Sequence, residues 1–127
     1  MIERITPPGA PAPRGPYSPA VRAGDFIFVA GQGPIDTATN QMSLGDIRHE
    51  ARLVLNNIQK ILEACGATVQ DVVKCSVFLA DGNDFAAMNE VYAEFFGAAK
   101  PARTTVACRF AMPGMKVEID CIAYKPK

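Results

Sequence analysis

The stretch from Asp46 to Gly66 constrains the fold more than any other. Its apolar positions, Ile47, Ala51, Val54, Leu55, Ile58, Ile61, Leu62 and Cys65, recur at intervals of three and four, the spacing that stacks side chains on one face of a helix. Gly66 supplies the stop. A helix with one apolar stripe must lay it against something, and the neighbouring segments offer strands. Phe26 to Gln32, FIFVAGQ, is a short run of β-formers, and the GPIDTATNQ that follows reads as its exit loop. In DVVKCSVFLA, Val73, Cys75, Val77 and Leu79 alternate with a more polar set, as in a half-buried strand. Asn83 or Asp84 is placed to cap a second helix with the stripe Phe85, Met88, Val91, Tyr92 and Phe95, ending near Gly97. Strands over about 104–110 and 115–124, joined by AMPG, close the chain. The order β, β, α, β, α, β, β predicts an α+β domain spanning residues 1–127, one mixed sheet covered by two helices on one face.

Two helices cover only one side of a sheet. The strands carry apolar residues on both parities, for example Val106, Cys108 and Phe110 beside Ala107, so the other face is an association surface and the chain is expected to form a homo-oligomer. Residues 7–19, PPGAPAPRGPYSP, hold six prolines and form an ordered arm or loop, neither helix interior nor central strand. Thirteen basic residues balance thirteen acidic ones. That balance favours a small partner over nucleic acid or an anionic membrane. The N-terminal MIERITPPGAPAPRG has charges and prolines where a signal peptide needs an apolar segment, which leads to the expectation of a soluble, cytoplasmic protein without membrane attachment. Cys65, Cys75, Cys108 and Cys121 form no CxxC pair and read as reduced core residues.

A permanent cation stands where PAR, Pro101 to Arg103, leads into the β-branched run TTVAC. Strand parity puts Arg103, Thr105, Ala107 and Arg109 on one face. In KVEIDC, Glu118 and Asp120 project from a strand that is apolar at Val117, Ile119 and Cys121. Arginine grips carboxylates in a bidentate fork, and a glutamate can move protons or hold a water. Spacing leaves open whether Arg103 and Glu118 pair for structure or serve a common substrate. Tyr17 reads equally as a core aromatic or a site residue, and Asn89 as a solvent-facing helix polar residue. His49 has no second ligand at metal spacing and reads as a surface residue. GQGP lacks the Lys-Ser/Thr ending of a phosphate loop.

Five segments carry a family resemblance: GPYSPAV at Gly15 to Val21, FVAGQ at Phe28 to Gln32, the helix NDFAAMNEVYAEFF, PAR, and KVEIDCIA at Lys116 to Ala123. Their order and spacing resemble the YjgF/RidA family of reactive intermediate deaminases. The resemblance implies a chorismate-mutase-like fold, a homotrimer with sites in the clefts between subunits, and hydrolysis of enamine and imine intermediates, such as 2-aminoacrylate, 2-iminopropanoate and 2-iminobutanoate, to 2-oxo acids and ammonia. It implies that Arg103 holds the substrate carboxylate and Glu118 positions or activates water. Tyr17, Gly31, Asn89 and Thr105 would line the cleft, and neither metal nor organic cofactor is required. Ala30 and Thr105 stand where many members have Ser and Cys, a departure that bears on substrate preference. Alternative readings of the same resemblance are a ribonuclease acting on single-stranded RNA, and a non-catalytic ligand-binding or chaperone-like regulator.

Overall fold

The computed structural model describes residues Met1–Lys127. Eight strands and two long helices follow one another as β1 (Ile2–Ile5), β2 (Ala20–Ala23), β3 (Phe26–Gln32), β4 (Ile35–Asp36), β5 (Gln41–Met42), α1 (Ile47–Ala64), β6 (Val72–Leu79), α2 (Phe85–Phe96), β7 (Ala102–Ala107) and β8 (Val117–Tyr124). Six strands form one sheet in the order β1-β2-β3-β8-β6-β7, and β4 and β5 form a small separate hairpin. Only β6 and β7 run parallel, connected through α2 in the crossover that parallel neighbours require. Both helices lie on one face of the sheet, as the pattern predicts.

The core lies between α1 and the sheet. Val54, Ile58, Ile61 and Leu62 of α1 meet Val77, Val117 and Ile119 of the strands, all essentially inaccessible to water, so truncating any large member to Ala is worth about 2–5 kcal/mol. Asp46 caps α1 by accepting from the His49 N–H. At the other end no basic residue lies in the last turn. Arg22 of β2 takes that place: buried, it donates to the Cys65 carbonyl at the helix C-terminus (3.2 Å) and to the Lys125 carbonyl (2.8 Å). It thus ties the negative end of α1 to the C-terminal tail.

Several expectations are corrected. The last two strands, consecutive in sequence, are not neighbours in the sheet: β6 inserts between β7 and β8, because β7 follows a helical crossover and pairs in parallel outside β6. They are also shorter than expected, ending at Ala107 and starting at Val117. In β6 the buried set is Val72, Cys75, Val77 and Leu79, with Val73 exposed; a register shift between Val72 and Lys74 breaks the alternation. Neither Asn83 nor Asp84 caps α2 through its side chain; Asp81 caps a preceding 3-10 turn by accepting from the Asn83 N–H. Phe96 rather than Phe95 fills the last buried position of α2, and Phe85 stays exposed. Of the four free cysteines, Cys75 and Cys121 are buried and Cys65 and Cys108 only partly so. The proline arm is irregular, as expected, but the segments flanking it pair as β1 and β2.

The face opposite the helices presents Phe26, Phe28, Val106 and Tyr124, each 42–45% exposed. No helix is long and apolar enough to cross a membrane.

Candidate functional site

The sequence-predicted site residues fall into two groups on opposite faces of the sheet. Arg103 pairs across the strands with Cys75, and Thr105 with Val77. Both therefore point to the helix-covered side, because cross-strand partners share a face. Glu118 pairs with Phe78, and Asp120 with Ser76, which puts both carboxylates on the open side. A whole strand, β6, separates the two segments. Within one chain the question that spacing left open is answered against a structural pair: Arg103 has no part in the chain's ion pairs, which are Arg48–Glu90, Lys116–Glu50 and Lys127–Glu3.

On the helix side, the Arg103 guanidinium stacks 4.7 Å from the centroid of Tyr92 and 5.6 Å from that of Phe85, within cation–π range. Asn89 is one turn before Tyr92 on α2, so both reach the same cavity of about 280 Å³ that Arg103 and Lys100 line. Two polar atoms lining it, Asn89 Oδ1 and Tyr92 Oη, are buried without a hydrogen-bond partner, as is Thr105 Oγ1 two residues beyond Arg103 on β7. Burial against the Cys75 thiol, a weak partner at best, also pushes the Tyr92 hydroxyl well above its usual range, so it stays protonated. Unmet buried polar groups of this kind normally cost about 1–3 kcal/mol each. The unpaired guanidinium and the Tyr92 hydroxyl, free to donate, make a cup suited to an anion, while Asn89 Oδ1 is left to accept from a donor on the same ligand.

On the open side, two adjoining hollows of about 80 and 370 Å³ share Arg14, Tyr17, Gly31, Met112, Met115 and Glu118. The pairing of β3 with β8 slips by one residue between Val29 and Gln32. The bulge brings the Gly31 backbone onto the Glu118 carboxylate. A Cβ at Gly31 would stand 2.5 Å from Glu118 Oε2, so only glycine admits this approach. Tyr17 is 47% exposed, which removes the core-aromatic reading, and its hydroxyl accepts from the Arg14 N–H (3.1 Å). Burial, with the Asp120 charge as a lesser cause, raises Glu118 above the ordinary carboxylate range. A carboxylate so placed is a stronger base.

That shift carries a stability prediction. With the folded pKa above the unfolded one, Glu118 contributes its full stability below the unfolded pKa and loses it as pH rises through the folded one. Glu118→Gln is therefore expected to melt higher than wild type near pH 8, with the gain gone near pH 4. Thermal melts across that range check it; a gain that grows toward acid reverses the assigned shift.

Sequence reasoning missed Tyr92 and Phe85 as the platform under Arg103; helix periodicity alone read Asn89 as solvent-facing, while the family resemblance put it in the cleft, and its oxygen is buried. It also missed Glu50, which is fully buried and accepts from the backbone N–H of Lys116 (2.7 Å) and of Gly45 (3.2 Å). Glu50 thereby pins the segment carrying Met112 and Met115 to α1. Its place on the α1 stripe, three after Ile47 and four before Val54, was the available signal. His49 is exposed and bonded to Ser43 Oγ (2.9 Å). No group of three or more His, Cys, Asp or Glu side chains converges to hold a metal ion.

Comparison with known proteins gives this geometry a family. The sequence model described as Endoribonuclease L-PSP matches residues 8–125. The chain belongs to the endoribonuclease L-PSP (YjgF/RidA) family. A RutC family protein from Pyrococcus horikoshii is 52% identical over 98% of this chain and 99% of its own length. A protein of Dermatophagoides farinae named 2-iminobutanoate/2-iminopropanoate deaminase is 42% identical over 93% of this chain and 92% of its own. The crystal structure of RidA from an Antarctic Psychrobacter superposes with a TM-score of 0.91 at 38% identity, covering 96% of this chain and 98% of that one. The L-PSP family fold is thus the two-helix, one-sheet arrangement described above.

Proposed function

We propose that the protein hydrolyses 2-imino acids, and the enamines that tautomerise to them, to 2-oxo acids and ammonia. The observation that carries this reading is the Arg103 cup: an unpaired guanidinium on two aromatic rings, in a cavity where the Tyr92 hydroxyl and the Asn89 amide oxygen are buried without partners. A carboxylate satisfies the fork and accepts from the Tyr92 hydroxyl, which together hold it in one orientation. The 42% identical deaminase supports the reaction class.

Arg103 and Glu118 of one chain face away from each other, so the complete site takes the cup of one copy and the Glu118 hollow of another. The exposed Phe26, Phe28, Val106 and Tyr124 are the surface available for that association, and burying what remains exposed of each is worth about 1 kcal/mol. We take the assembly to be the homotrimer that the family resemblance implies, closed around a three-fold axis.

With the carboxylate held, water adds to the iminium carbon while its proton passes to the Glu118 carboxylate. The C=N electron pair returns to nitrogen, giving a neutral carbinolamine. Glu118 then returns the proton to nitrogen, the C–N bond breaks as C=O forms, and the hydroxyl proton leaves to make ammonium. One iminium zwitterion and one water become one 2-oxo acid anion and one ammonium ion. Orientation and proton transfer supply the acceleration.

The test is turnover of 2-iminopropanoate, generated in place by an amino-acid oxidase and followed as pyruvate and ammonia release, with single-stranded RNA as a parallel substrate. Accelerated imine hydrolysis without RNA cleavage is the expected result. RNA cleavage without imine turnover would establish the ribonuclease reading instead.

A further inference from the structure

Lys100 lies in the same cavity as Arg103, and its backbone is unusual. Only two non-glycine residues have positive φ: Asn40, and Lys100 at φ 38, ψ 63. Asparagine accommodates the left-handed region through its short polar side chain, but lysine has no such means. The following residue is Pro101, which further restricts its predecessor's backbone. Glycine or asparagine would relieve the position, so the lysine occupies it against local preference.

The cavity explains what that side chain does. It is lined by Asn89, Tyr92, Phe96, Gly97, Lys100 and Arg103 together with Ala93, and no acidic residue is among them. Lys100, like Arg103, belongs to none of the chain's ion pairs. Two unpaired cations therefore share a space of about 280 Å³. A substrate with one carboxylate neutralises the Arg103 fork and leaves the ammonium unmatched.

We infer that Lys100 is a specificity residue that binds a second acid group on the substrate, so that the preferred substrates are imines of dicarboxylic amino acids. The inference rests on the deaminase reading above and adds to it the substrate class. Arg103, planar and stacked, suits the carboxylate next to the reacting carbon, where geometry decides the rate. Lys100 is an exposed, flexible point charge that tolerates a distal carboxylate in several positions. Its contribution is therefore to selectivity rather than to the chemical step.

The experiment compares kcat/KM for 2-iminosuccinate and 2-iminopropanoate, each generated in place from its amino acid, in the wild type, Lys100→Asn and Lys100→Arg. Asparagine keeps the left-handed backbone without the charge, and Lys100→Gly serves as a second neutral variant. The ratio favouring 2-iminosuccinate is expected to fall about ten-fold in both neutral variants, carried by KM, and to recover in Lys100→Arg. A wild type active on 2-iminopropanoate whose ratio is unchanged in Lys100→Asn and Lys100→Gly overturns the Lys100 role alone. A wild type inactive on both imines overturns the deaminase reading and this one with it.

Discussion

Arg103→Lys is expected to fold, to assemble, and to lose about two orders of magnitude in kcat/KM for 2-imino acids. The loss follows from geometry rather than charge. A guanidinium offers a carboxylate two parallel N–H bonds in a fixed plane, and its own flat face lies on the rings of Tyr92 and Phe85. An ammonium keeps the charge but cannot supply the fork, and each charge-assisted bond is worth about 1.5–3 kcal/mol. Stability should change little, because Arg103 forms no ion pair in the chain and lysine retains part of the attraction to the rings. Steady-state kinetics beside a thermal melt decide the matter. Full activity in a well-folded Arg103→Lys protein would remove the arginine from the mechanism.

The second large effect is a gain. Arg103→Ala and Glu118→Gln are each expected to be inactive alone, yet a mixture of the two, dissociated and reassembled, should recover about a quarter of wild-type activity. The fraction follows from random mixing around a closed ring: a working site needs an intact Arg103 from one copy and an intact Glu118 from its neighbour, each present half the time. Within a single chain the register forbids the pairing, since Arg103 sits opposite Cys75 on the covered face and Glu118 opposite Phe78 on the open one. A mixture that stays inactive, although mass measurement shows mixed assemblies, would return the whole site to one chain.

The two predictions draw on residues that were legible to different degrees. Arg103 and Glu118 stood out in the sequence because a charged residue on a strand otherwise apolar on alternate positions has no local reason to be there. Tyr92 did not stand out: on α2 it reads as one more member of an apolar stripe, and its role depends on a strand ten residues further on. Thr105 and Asn89 were nominated through the family resemblance. That their oxygens are buried without partners is a property of three-dimensional packing that no spacing rule reports. Lys100 carried no signal at all, because a lysine before a proline looks like any solvated turn residue until its backbone angles are known.

What the sequence by itself determined was the local and the periodic. The α1 stripe, the strand character of FIFVAGQ and KVEIDC, and the two-helix layer all follow from side-chain periods of 3.6 and 2, which the chain cannot escape. Tertiary structure alone decided the neighbours. Inserting β6 between β7 and β8 moved the arginine and the glutamate two strands apart, and the bulge beside Gly31 brought the glutamate against a backbone far away in sequence. Strand order and register are fixed by the summed burial of many side chains rather than by any one segment. The same summation leaves one apolar face of the sheet uncovered and divides the candidate site between its two sides.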